Sequence, residues 1–212
     1  MLNRRSLMGS ATALALFMGI AAPAFADPDA ALAKLQETVL SKGPSGEDPS
    51  PASDVVLSDE ELAKIKEMGA TAAIVMHYGG NDWSQAQING LQTQFGAMGI
   101  EVIAVTDAGF KPEKQVSDLE TIMAQSPDII VSIPTDPTAT AAAYRAAAEA
   151  GAKLVFMDNV PAGFVPGTDY VSVVSADNYG NGVAAAHLMA KALGPDGGEI
   201  GLVFHAADFF VT

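Results

Sequence analysis

From Ala70 onward the chain alternates two patterns. Apolar runs of strand length, Ala72–Met76, Glu101–Thr106, Asp128–Ile133, Lys153–Met157 and Val171–Val174, are separated by stretches with helical periodicity. Helices are expected near Ser84–Met98, Pro112–Gln125 and Thr138–Ala150, and another near Asn178–Leu193. In the first of these, Ile88, Leu91, Phe95 and Met98 recur on one face; in the second, Val116, Leu119, Ile122 and Met123 do so. Strands that are apolar throughout, without an in-out alternation, need cover on both sides. The expected fold is therefore α/β, a doubly wound parallel sheet with right-handed crossovers.

The flanks are less regular. Ala30–Leu40 forms a short helical patch, and the tract KGPSGEDPSPASD (42–54) holds too little apolar surface to order itself, so it reads as a linker or surface arm. Ser58-Asp59-Glu60-Glu61 carries a helix-start signature, with Ser58 as N-cap and acids in the first turn. Leu62, Ile65 and Met68 continue that helix as an apolar stripe until Gly69 ends it. Far downstream, Gly194–Gly198 breaks the last helix and Glu199–His205 begins a new strand, seven residues before the sequence stops. A lone strand followed by Phe209 and Phe210 leads us to expect a fragment that lacks a second α/β unit of similar size. The expected division is 1–26 signal peptide, 27–69 extension and lead-in helix, 70–195 N-terminal α/β lobe, and 196–212 the start of an incomplete second lobe.

Composition narrows the function classes. Of 212 residues 49% are hydrophobic and 17% charged, the balance of a globular chain. Net charge is −14 and no Lys/Arg cluster follows Arg5, so no nucleic-acid partner is expected. Cysteine is absent, which removes disulfides, thiolate metal sites and a cysteine nucleophile. Residues 1–26 look like an export signal: Arg4 and Arg5, a short apolar run Ala11–Ala22, then Ala24-Phe25-Ala26 as a small-x-small cleavage pattern. The apolar run is shorter than the ~20 residues of a membrane span. Asn3-Arg4-Arg5 also resembles a twin-arginine signal, and the choice between the two export routes stays open. Cleavage removes two Arg and no acids, taking the charge from −14 to −16. The expected location is periplasmic.

Candidate chemistry sits at the strand ends: His77, Tyr78, Asn81, Asp82 and Trp83 after the first, Asp107 after the second. The third strand contributes Thr135 and Asp136, the fourth Asp158 and Asn159, and the fifth Asp177 and Asn178. A doubly wound sheet brings these loops to one edge. Carboxylates and amides that pair hydroxyls, with an aromatic face for C–H surface, suit a sugar or sugar alcohol. The plainer reading is that Asp and Asn at strand ends cap helices and close turns, which explains Asp177, Asp107 and Asp136 well. It explains Asp158-Asn159 poorly, because no helical pattern follows them. Trp83, the single tryptophan, is equally a structural residue or a ligand platform. The three histidines, His77, His187 and His205, share no metal-ligand spacing, so no metal is expected. No G-x-S-x-G nucleophile elbow, phosphate-binding glycine loop or P-loop lysine is present, so no catalytic residues and no cofactor are expected.

These residues resemble the periplasmic sugar-binding proteins of ABC importers, of the ribose- and galactose-binding type. The likeness runs from Ala70 to about Thr212, through Asn81-Asp82-Trp83 leading into Ile88-Asn89-Gly90-Leu91-Gln92, then Ile133-Pro134-Thr135-Asp136, Phe156-Met157-Asp158-Asn159 and Val174-Ser175-Ala176-Asp177-Asn178. It implies a Rossmann-like first lobe, a second lobe that closes over the ligand, and delivery to an ABC transporter permease by what is expected to be a monomer. Carried over by position, Asn81 would hydrogen-bond ligand hydroxyls, Trp83 would stack on a ring, and Asp158 would accept from adjacent hydroxyls. Asn159, Asp136 and Tyr78 complete the candidate ligand set. Ser84 stands where the family often has a second aromatic, Asn159 where it often has Arg, and Ala176 where some members have serine. Those departures point to a smaller or more flexible ligand, such as a pentitol or tetritol. Alternative functions are an exported carbohydrate-active enzyme or a sensor that feeds a membrane receptor; a sugar-responsive repressor would need a DNA-binding headpiece in place of the export signal.

Overall fold

The computed structural model describes residues 27–203. The signal peptide expected over 1–26 lies outside them, as do positions 204–205 of the strand expected at Glu199–His205. The strands are β1 Thr71–Met76, β2 Glu101–Asp107, β3 Ile129–Ser132, β4 Lys153–Met157 and β5 Ser172–Val174. The helices are α1 Pro28–Leu35, α2 Asp59–Met68, α3 Asp82–Met98, α4 Pro112–Met123, α5 Ala141–Glu149 and α6 Asn178–Leu193, with a 3₁₀ turn at Ala52–Val55. The strands form one sheet in the order β2-β1-β3-β4-β5, and every neighbouring pair is parallel. The α/β, doubly wound expectation is met.

β1 explains why both faces are covered. Ala72 through Met76 are all fully buried, and successive side chains point to opposite sides. Ala73 and Val75 join a core with Leu119 and Ile122 of α4 and Tyr144 and Ala147 of α5. Ala72, Ile74 and Met76 join the other core, with Ile88 and Phe95 of α3 and Ile65 of α2 packed against it. Each large aliphatic side chain so buried contributes roughly 1.5–3 kcal/mol. The edges differ: β2 leaves Val105 exposed and β5 leaves Val174 exposed.

Local signals set the helix ends. The capping box at Ser58 and Glu61 is formed in both directions, and Gly69 closes α2 in the left-handed conformation. α5 begins later than expected, because Asp136 holds a turn over 138–140 before the helix starts. α1 stops at Leu35 instead of running to Leu40. Beyond it the chain leaves the helix, and the Leu40 and Ser41 amides donate to the Asp177 carboxylate at 2.9 and 2.8 Å. The Pro/Gly tract that follows is thus a surface arm lying beside α6. α6 packs on α1 and not on the sheet, with Lys191 paired to Asp29. The strand expected from Glu199 is absent over 199–203, where Leu202 and Val203 are exposed. Among the described residues no neighbouring strand supplies partners there, so the backbone groups of 199–203 join no ladder.

Candidate functional site

The chain leaves β1 toward β2 on one side, then crosses back to place β3 on the other. The strand order therefore reverses between β1 and β3, and in open α/β sheets the crevice outside the carboxyl ends at such a reversal is where ligands sit. The loops after all five strands meet at this edge.

His77, the first residue after β1, is the hub. Its ring lies edge-on to Trp83 at 6.2 Å and to Phe110 at 5.1 Å between centroids. Burial pushes the imidazole pKa below its ordinary value, while the nearby carboxylates of Asp158 and Asp107 pull it the other way. Its Nδ1 is buried without a hydrogen-bond partner in the lobe. One half-buried ring thus gathers two acids and two aromatics from the ends of three strands, β1, β2 and β4. The loops after β1 and β2 also touch directly: a Cβ at Gly79 would stand 3.1 Å from Asp107 Oδ2, so glycine permits the close approach.

Asp158 ends β4 with a φ of 56°, a left-handed conformation that Asp tolerates better than most residues. Its amide donates to Val174 O at 2.9 Å, and Ser175 Oγ donates to its Oδ1 at 2.9 Å. Asn178 Nδ2 in turn donates to Ser175 Oγ. The carboxylate is half-buried, aimed by the turn after β5, and not engaged in capping a helix. Asn159 follows it, half-buried, with a buried Oδ1 that has no hydrogen-bond partner among the described residues.

The remaining candidates are placed differently. Asn81 is exposed and serves as the N-cap of α3, its Oδ1 accepting from Ser84 N at 2.8 Å. Asp136 Oδ1 accepts from the amides of Thr138 and Ala139 at 2.9 and 2.7 Å, a cap-like use. Tyr78 lies against Phe110 in a stacked pair, centroids 4.7 Å apart and planes 13° apart. Trp83 is 52% exposed on the first turn of α3. The structure therefore brings Trp83 and Asp158 together around His77, while Asn81 and Asp136 carry local backbone duties and Tyr78 supports another ring. Asp177 is a helix start, as its sequence context suggested: it accepts from Gly180 N and holds the arm as well. Those amide donors draw its carboxyl pKa down to about 2.

Three residues were not read from the sequence. Phe110 is 58% exposed at the sheet edge; an aromatic in the polar Asp107-Ala-Gly-Phe-Lys run after a strand was the available signal. Ser175 aims Asp158, which only the pairing of β4 with β5 makes visible. Gln115 is fully buried on α4; its Nε2 donates to Ile133 O at 2.9 Å and its Oε1 accepts from Thr135 N at 2.8 Å. It fixes the loop after β3, and its polarity disguised it among the apolar positions.

A groove of about 760 Å³ runs between Leu40–Pro44 of the arm and the start of α6, touching Ser175 and Asn178. Among the described residues no group of three or more His, Asp or Glu is arranged to hold a metal ion, and no helix is long and apolar enough to cross a membrane.

A parallel α/β lobe with acids and aromatics gathered at its strand-order reversal belongs to the class of doubly wound small-molecule-binding domains. Residues 72–210 match the family model of the periplasmic binding protein domain. The match takes in more than half of the sequence, and the chain belongs to the periplasmic binding protein family, whose members work outside the cytoplasm. Comparison with curated proteins returned no match. Among solved structures, the chain is similar to an ABC sugar transporter subunit from Rhodobacter sphaeroides 2.4.1, at 25% identity and a TM-score of 0.52, covering 59% of this chain and 42% of that one. A Caulobacter myo-inositol binding protein bound to myo-inositol matches at 26% identity and 0.52, covering 58% and 40%. An ABC transporter solute binding protein from Agrobacterium vitis bound with α-D-tagatopyranose matches at 26% and 0.53, covering 58% and 44%. The chain thus spans less than half the length of these neighbours.

Proposed function

We propose that this chain supplies the first lobe of an extracytoplasmic solute-binding protein that captures a neutral sugar or sugar alcohol and delivers it to an ABC permease. The observation that carries this reading is the gathering of Asp158, Asp107, Trp83 and Phe110 around His77 at the β1/β3 reversal. Carboxylates at the edge accept hydroxyl hydrogens and repel anions, and the exposed indole offers a face to C–H surface. Similarity to proteins that bind myo-inositol and a pyranose supports the same ligand class. Trp83 and Asp158 are the principal contacts in this reading. Asn159, with its unpartnered buried oxygen, is available to a ligand donor, and Asn81 keeps its amide nitrogen for a hydroxyl while its oxygen caps α3. Residues 1–26 act as the cleaved export signal, residues 70–195 as the first lobe, and 196–212 lead into the second. A thermal-shift panel of sugars and polyols on the full-length protein tests this. A rise in the unfolding midpoint with at least one neutral polyhydroxylated compound is expected, and no shift with any of them refutes the assignment.

A further inference from the structure

We propose that Phe110 is a second aromatic wall of the ligand cleft and that it selects hydroxylated six-membered rings over acyclic alditols. This rests on the reading above, that the sheet edge takes a neutral polyhydroxylated ligand.

The loop after β2 is built to hold this ring in place. Phe110 has a φ of 60°, a conformation in which a bulky L residue is an outlier. Its amide donates to His77 O at 2.8 Å, Ala108 N to Met76 O at 3.0 Å, and Lys111 N to Ala108 O at 3.0 Å. Gly109 N donates to Asp107 Oδ1 at 2.8 Å. These bonds tie the loop to the end of β1 and sustain a backbone that would otherwise relax. Strain upheld in this way points to a use for the side chain.

The ring itself is supported without being buried. Tyr78 stacks under it and His77 meets it edge-on, yet 58% of Phe110 remains exposed. Phe110 and Trp83 both flank the His77 ring, at 5.1 and 6.2 Å, so their centroids are at most about 11 Å apart. At contacts of roughly 3.5–4 Å each, that limit keeps both rings within reach of one ligand.

Two aromatic walls discriminate by shape. A pyranose or cyclitol presents a rigid C–H face to each wall, whereas an open-chain alditol offers no flat face and must freeze several bond rotations to bind. The missing aromatic at Ser84 pointed toward a smaller, more flexible ligand. Ser84 is fully buried under the first turn of α3, so that position faces the interior and not the cleft. Phe110, from a different loop, restores the second ring and reverses the inference about ligand flexibility.

The test is calorimetric titration of the full-length protein with myo-inositol and D-allose as ring probes and allitol and ribitol as open-chain probes. At least one ring probe is expected to bind ten times more tightly than either alditol. Phe110→Asn, which keeps a residue tolerant of the left-handed backbone but removes the ring, is expected to weaken that ring probe about tenfold and the alditols less than threefold. Phe110→Tyr is expected to stay within threefold of the parent for all probes. Phe110→Leu, apolar but without a flat face, reads the same difference should the Asn variant fold poorly. Unchanged ring preference in both ring-deleted variants, or a parent protein that favours alditols, overturns the role of Phe110 and leaves the solute-binding assignment standing. Failure of every probe to bind the parent overturns both.

Discussion

Asp158→Asn separates charge from geometry at the centre of the proposed site. Asn tolerates the left-handed backbone at φ 56° about as well as Asp, and its amide oxygen keeps the bond from Ser175 Oγ. Folding stability is therefore expected to change by less than about 0.5 kcal/mol. What disappears is the negative charge offered to ligand hydroxyls. Among the described residues Ser175 is the one side chain that donates to Asp158, which leaves the carboxylate with acceptor capacity for two adjacent hydroxyls. Hydrogen bonds to a charged acceptor contribute about 1.5–3 kcal/mol and neutral ones about 0.5–1.5, a difference near 1 kcal/mol for each hydroxyl. Two such bonds give about 2 kcal/mol, or roughly a 30-fold rise in Kd at pH 7. Calorimetry with the tightest ligand of the panel reads this directly, with thermal unfolding as the control. An affinity within threefold of the parent, in a variant of unchanged stability, refutes the assignment of Asp158 as a ligand acceptor. A second readout is independent of ligand: removing a carboxylate that raises the His77 pKa should lower that pKa further, seen in the imidazole NMR titration.

Other expectations follow from the same geometry. Trp83 is the single tryptophan and half exposed, so saturating ligand should change the protein's fluorescence, and Trp83→Ala should weaken binding by about 1–2 kcal/mol without lowering stability; an unaltered emission spectrum at saturation would place the ligand elsewhere. Gln115→Leu strands Ile133 O and Thr135 N in the interior, and should cost about 2–5 kcal/mol in urea unfolding; a loss below 1 kcal/mol would mean the loop after β3 re-pairs on its own. Asp177 has its pKa drawn down from 3.8 to about 2 by the amides of the arm and of α6. Its contribution is fully present above the unfolded value and is lost as pH falls through about 2, so the Leu40 and Ser41 amide resonances should shift with a midpoint near that pH, and a midpoint near 4 would show that the arm is not held there.

The hydrophobic pattern was enough to determine the layered architecture. Ala72–Met76 is apolar without interruption, and such a strand is stable only when both its faces are covered. The helices were legible for the same reason, since periodic apolar faces and caps such as Ser58 with Glu61 are local chemistry. Strand order, and with it the reversal between β1 and β3, came only from the tertiary structure, because every strand reads alike until neighbours are assigned. The site divided along the same line. That Asp158 was not a capping residue could be read from the absence of a helix after it, but its alignment by Ser175 depends on two strands far apart in sequence. Asn81 looked like a ligand residue by type, and the structure uses its oxygen to cap α3, a local option that Asn always carries; the turn held by Asp136 was already legible as capping. Phe110 went unread because its role depends on a left-handed backbone and on Tyr78 beneath it, and neither leaves a periodic trace. Sequence by itself determined which residue types collect at the strand ends. Only the tertiary structure decided which of them gather around His77, because that selection is made by contacts between loops that share no sequence neighbourhood.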